Sequence, residues 1–346
     1  MRLILGLLLL QRCSAQRYFF SPEQDTEFED PELPAQYSLQ ASQLTPPAAS
    51  LTSSFWFASY LTTLDDRQYV VLSQAFALPD GVATFRASIL DIDHPEKYWS
   101  YIESRPLLTA SPSVDGRLIF DAGDFAVEGV SKDSISEMLT RGSTSDFAYN
   151  LTIRATSRVI LNAGTGHFDW GTGNTTQWSL PSCATSGTLL VEGKAYDVDE
   201  TRSLTWYDRQ HGIGGPSVGF TWFGIQFPNS EVKASVWFSD STVPKDQHLR
   251  FATVRTKHGL EIIRFTMTTY PLEVWTSPRS NNTYSKRWML EFSNGDVLNI
   301  TSVRDDQEPF RDGELAGLSA FASVEGSFFG QSGGFALVDV VPTSNG

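Results

Sequence analysis

Cysteine is almost absent: 346 residues contain two, Cys13 and Cys183. A disulfide framework and a multi-cysteine zinc site are therefore excluded. Charged residues are also scarce, at 19%, and they lean one way: 26 Lys and Arg against 40 Asp and Glu, for a formal net charge of −14. A general grip on nucleic acid or on anionic membrane needs a basic face, so neither partner is expected. After the first residues no segment approaches the roughly 18 apolar residues of a membrane-spanning helix. The five histidines (His94, His167, His211, His248, His258) stand apart from one another, so no local metal cluster is visible. G-x-S-x-G, H-E-x-x-H and P-loop motifs are missing, and Gly164-Thr-Gly166 and Gly171-Thr-Gly173 lack the strand-then-helix context of a dinucleotide site. No cofactor is expected.

Aromatic residues are abundant: 23 Phe, 11 Tyr and 9 Trp, with 17 Pro and 26 Gly spread along the chain. That composition suits a turn-punctuated β protein. Met1-Arg2, the apolar run Leu3 to Leu10 and the small residues Cys13-Ser14-Ala15 form the three parts of a secretory signal. Cleavage after Ala15 would start the mature chain at Gln16, remove Arg2 and Arg12, and leave Cys183 as a lone, buried hydrophobe. Asn150, Asn174, Asn281 and Asn299 head glycosylation sequons, which fits a secreted protein or one in the secretory lumen.

Residues 16–52 are acidic and proline-rich, expected as extended chain over the surface. From Ser53 onward short runs alternate apolar and polar residues between turn formers, as strands do. Phe220–Phe227, the turn Pro228-Asn-Ser230 and Val232–Phe238 predict a hairpin, with Trp222 across from Trp237. One short helix is expected around Ser131–Arg141. Gly212-Ile-Gly-Gly-Pro216 suggests a junction between two β modules, 53–213 and 214–346.

The densest run of functional side chains is Trp206-Tyr-Asp-Arg-Gln-His211, just before that junction. On a strand Tyr207, Arg209 and His211 share one face, and Asp208 and Gln210 the other. A cavity facing the first set would meet a donor, a cation and a titratable base. The bland alternative is an Asp208–Arg209 pair stapling the modules together. Trp56, Tyr60, Trp222, Gln226 and Trp237 are candidate substrate contacts, since a mixed aromatic and polar face suits a ligand pocket.

Ser203 to Gly212 followed by Trp222-Phe-Gly-Ile-Gln-Phe-Pro-Asn229 resembles the signature of the carotenoid hydratase (hydroxyneurosporene synthase-like) superfamily. It is most similar to the fungal branch of kievitone hydratase-like enzymes and natural-product Diels–Alderases. Val274-Trp-Thr-Ser-Pro278, Tyr284-Ser-Lys-Arg-Trp288 and the ending Ser323 to Asp339 agree, the last resembling closing strands in which an acidic residue follows a glycine-rich turn. His211 stands where relatives often carry Trp. The resemblance implies two lipocalin-like β units in tandem, with a pocket between them or in a barrel mouth. It also implies cofactor-free chemistry on a small apolar polycyclic or polyene metabolite. The activity expected first is a (hetero-)Diels–Alder cyclisation, which needs the reactants held in a reactive pose and a donor such as Tyr207 or Arg209 polarising a carbonyl. The alternative, hydration of an alkene, needs an acid and a base, for which Asp208 and His211 are the candidates. A lipocalin-like carrier would need the aromatic pocket but not the cluster.

Overall fold

The computed structural model describes residues 17–33, 37–47, 52–78, 80–110 and 115–342. The signal residues 1–15, with Cys13, lie outside the described residues.

The chain is all-β and lipocalin-like, in two units. A 14-stranded antiparallel sheet runs from Tyr98–Pro106 through Val82–Asp91, Gln68–Ala77, Thr52–Thr62, Leu204–Ile213 and Gly173–Val191 to Phe147–Arg154 and beyond. The second unit is a closed eight-stranded barrel whose first strand, Gly219–Gln226, pairs with its last, Gly334–Pro342. Residues 214–218 connect the two. The expected hairpin is present, with Trp222 opposite Trp237.

Alternation along the strands creates three apolar layers. From Thr52–Thr62, Phe55 and Phe57 enter a core on the far side of the sheet, which also holds Tyr207 and Trp178. Trp56, Ala58 and Tyr60 point the other way, into a layer shared with Trp222, Trp237, Phe321 and Phe335 on the outside of the barrel. The barrel's interior is filled by its own side chains, among them Phe223, Val236, Val254, Leu290 and Val338. A filled barrel leaves the space between the units as the place for a ligand.

Two local expectations need correction. Residues 131–136 form a turn, and Glu137–Ser143 is a strand with alternating burial. Asp133 captures the backbone N–H groups of Ile135 and Ser136, and Ser134 adopts a positive φ of 62°, so helical continuation is lost. The N-terminal segment is more than a surface wrap. Phe20 is buried in the inter-unit layer, and Glu23 pairs with the buried Arg255 of the barrel. The short helix Leu39–Gln43, capped by Ser38, packs against the far-side core.

Candidate active site

Two cross-strand rungs of the large sheet build one wall of a cavity of about 590 Å³. One rung is Arg86, Gln74, Trp56 and Asp208; the next is Thr84, Phe76, Ser54, Gln210 and Gln177. The barrel supplies the opposing wall with Phe220, Trp222, Trp237 and Asp339, and the connection 214–217 adds to the lining. Gly224 makes room on the barrel side: a Cβ there would lie 2.5 Å from the Trp222 ring, whose Nε1 donates across the hairpin to Ser235 Oγ at 2.9 Å.

Asp208 is the chemical centre of this wall. Its Oδ1 accepts from Trp206 Nε1 at 2.7 Å and its Oδ2 from Gln177 Nε2 at 3.0 Å. Burial nevertheless pushes the carboxyl up to about 7, with the negative charge of Asp339 adding to the rise and the hydrogen bonds opposing it. Asp339 is held differently. Arg86 Nη2 reaches its Oδ1 at 2.7 Å from the other unit, and Ser319 Oγ donates to it at 2.5 Å. The cavity therefore presents a carboxyl able to keep its proton near neutral pH beside a carboxylate paired with a guanidinium. Such a split environment separates acid from base roles.

The strand alternation holds, but the cavity lies on the Asp208–Gln210 face, opposite to the one expected to carry the chemistry. Tyr207, Arg209 and His211 sit on the far side of the sheet, facing the N-terminal segment. Tyr207 is fully buried and donates to Gln43 Oε1 at 2.7 Å. Arg209 is also fully buried; its Nη2 donates to the Thr45 carbonyl at 3.0 Å, and its guanidinium carbon lies 4.2 Å from the Phe55 ring centroid. His211 Nε2 lies 3.0 Å from Ser42 Oγ, and burial lowers its pKa to about 4, helped by Arg209 and His167. An Asp208–Arg209 staple is also ruled out, because the two side chains leave the strand in opposite directions.

Among the expected substrate contacts, Trp56, Trp222 and Trp237 line the cavity. Tyr60 does not: it is buried in the aromatic layer against Phe20 and Phe335. Gln226 is likewise off the cavity, donating to the Pro181 carbonyl. Arg86, Gln177 and Asp339 were not singled out from the sequence. Asp339 had a signal, the acidic residue after the closing glycine-rich turn. Arg86 and Gln177 had none, because only the strand register brings them to Asp208. The described residues contain no grouping of three or more His, Cys, Asp or Glu suited to a metal ion, and no helix among them is long and apolar enough to cross a membrane.

Comparison with known proteins agrees with this architecture. Residues 73–315 match the AttH-like family model. The chain is 31% identical over 337 residues to a kievitone hydratase of Fusarium solani subsp. phaseoli, covering 94% of this chain and 91% of that one. It is 30% identical over 334 residues to the dehydratase asqC of Emericella nidulans, covering 94% of each. The crystal structure of kievitone hydratase from Nectria haematococca superposes with a TM-score of 0.85 at 28% identity, over 94% of this chain and 99% of that one. The resemblance to the kievitone hydratase-like branch is thereby borne out, and the named relatives are enzymes. With this coverage, the chain belongs to the AttH-like family.

Proposed function

We propose that the protein adds water to, or removes it from, a carbon–carbon unit of a small, largely apolar metabolite held between the two units. The observation that carries this reading is the pairing of Asp208 with Asp339 across one aromatic-walled cavity. In hydration, Asp208 gives its proton to one alkene carbon while Asp339 takes a proton from the water whose oxygen bonds the other carbon. The enzyme ends with Asp208 ionised and Asp339 protonated, and proton exchange with solvent restores the start. Dehydration runs the same steps backward: protonated Asp339 gives its proton to the leaving hydroxyl, and Asp208 takes one from the neighbouring carbon. General acid–base assistance of this kind contributes on the order of 10²–10⁴-fold in rate.

A (hetero-)Diels–Alder cyclisation is the second reading. It is favoured by the aromatic lining of Trp56, Phe76, Trp170, Phe220, Trp222 and Trp237, which suits two unsaturated partners held face to face. Protonated Asp208 would then polarise a carbonyl as a hydrogen-bond donor.

The experiment is turnover of candidate polyene and polycyclic substrates in heavy-oxygen water, with Asp208→Asn in parallel. Label in the product, and a loss on the order of 10²-fold or more in the variant, is the expected result. A cycloadduct without label would transfer the assignment to cyclisation. Ligand binding without turnover, unchanged in the variant, would make the protein a carrier. The reading extends to location: the segment Met1–Ala15 and the four sequons support a secreted, glycosylated protein.

A further inference from the structure

Asp208 must exist in two states if it is to move a proton, and each state makes a different demand on its buried neighbours. The carboxylate only accepts hydrogen bonds, whereas the carboxylic acid must donate one. Trp206 Nε1, which holds Oδ1, is a donor only and cannot receive the O–H of the acid form. Ser179, beside Asp208 on the adjacent strand, gives a further hydrogen bond that favours the carboxylate, while its own Oγ receives Asn162 Nδ2 at 3.3 Å. Gln177 differs in holding an acceptor that the protein leaves unpaired. Its amide Nε2 donates to Oδ2 at 3.0 Å, and its Oε1, buried in the same place, has no partner in the protein. A buried carbonyl without a donor is costly and calls for an explanation.

We propose that Gln177 is the positioning residue for Asp208: its side-chain amide turns over as the carboxyl gains or loses its proton. With Asp208 ionised, Nε2 faces the carboxylate and Oε1 is the unpaired atom. With Asp208 protonated, half a turn about the terminal torsion brings Oε1 to receive the new O–H. Terminal amide torsions are broad and nearly two-fold, so the turn needs no movement of the strand. The charged or titratable groups that also face Asp208 are Asp339, held by Arg86 across the cavity, and Tyr60 on the neighbouring strand. Of the groups around Asp208, Gln177 is the one that both hydrogen-bonds the carboxyl and keeps a buried oxygen without a partner.

The inference rests on Asp208 as the proton-bearing group, and its test is separable from the test of that role. In the full chain labelled with nitrogen-15, the Trp206 indole N–H (assigned with Trp206→Phe) and the Gln177 side-chain amide are followed across pH. Both are expected to titrate with one shared midpoint. In Gln177→Met, which keeps the length but neither polar atom, the Trp206 midpoint is expected to rise by about one pH unit, since a hydrogen bond to the charged form is lost. The pH–rate profile moves with it. An unmoved Trp206 midpoint in Gln177→Met would overturn the proposal. So would a wild-type Gln177 amide insensitive to pH while Trp206 titrates, a measurement that needs no variant to fold. Full turnover in Asp208→Asn would instead remove the parent assignment while leaving the coupled titration intact.

Discussion

At the scale of the residue, burial has turned an ordinary aspartate into a group with an inverted effect on stability. Asp208 begins near 3.8 in the unfolded chain and near 7 in the folded one. Between those values the folded protein binds the proton more tightly, so stability falls as pH rises through about 4 to 7. Asp208→Asn removes that slope and is expected to raise the melting temperature above pH 7 by an amount worth a few kcal/mol at most. Melting temperature against pH for the two proteins checks this; a variant less stable at pH 8 would contradict it. His211 acts in the opposite sense, since its pKa is lowered from 6.5 to about 4. The unfolded chain binds its proton first, and stability is lost as pH falls through that window. The sequence placed Asp208 in a functional cluster. It contained no information on which carboxyl would be desolvated, because that depends on Gln177 and Asp339 arriving from two other strands.

At the scale of the element, Leu204–Ile213 separates chemistry from architecture by its two faces. Trp206, Asp208 and Gln210 serve the cavity side, while Tyr207, Arg209 and His211 anchor the N-terminal segment. Tyr207→Phe removes the donor to Gln43 Oε1 and is expected to cost about 1–3 kcal/mol, lowering the melting temperature while turnover persists. A collapsed rate with an unchanged melting point would return chemistry to that face. The alternation itself was legible from period-two patterning, as was the 220–238 hairpin from its turn residues. Which face met the cavity was not, because the answer depends on Ser42, Gln43 and Thr45, and residues 16–52 carry no periodicity that marks them as the occupant of a core. The expected helix near Ser131 failed for a local reason. Ser-x-Asp-Ser resembles a helix cap, but here Asp133 closes a turn that leads into a strand.

At the scale of the molecule, the two units meet through a cluster of edge-on indoles. Trp222 lies edge-on to Trp56 at 5.1 Å and to Trp206 at 5.5 Å between ring centroids. Trp222→Ala therefore affects both binding and cohesion. It is expected to raise KM and to cost about 3–5 kcal/mol of stability, read by calorimetry beside steady-state kinetics. An unchanged melting point would mean that the layer does not hold the units together. The sequons differ in access. Asn150, Asn174 and Asn281 are exposed, whereas Asn299 is half-buried within Val297–Ser302. Protein from a eukaryotic host is expected to lose mass on glycosidase treatment, with Asn299 the least occupied site; no mass change would remove the secretory assignment.

The pairing of Thr52–Thr62 with Leu204–Ile213 has a consequence for synthesis. As the nascent chain leaves the ribosome, the segment Phe55-Trp-Phe-Ala-Ser-Tyr60 emerges early. Its partner on that edge does not exist until residue 213 has been made, a delay on the order of ten seconds at about 5–20 residues per second. During that interval an apolar strand edge is open to the wrong neighbour. Burial of Asp208 also needs the barrel face carrying Trp222 and Asp339, so a nascent chain that has not yet reached the barrel carries Asp208 without that cover.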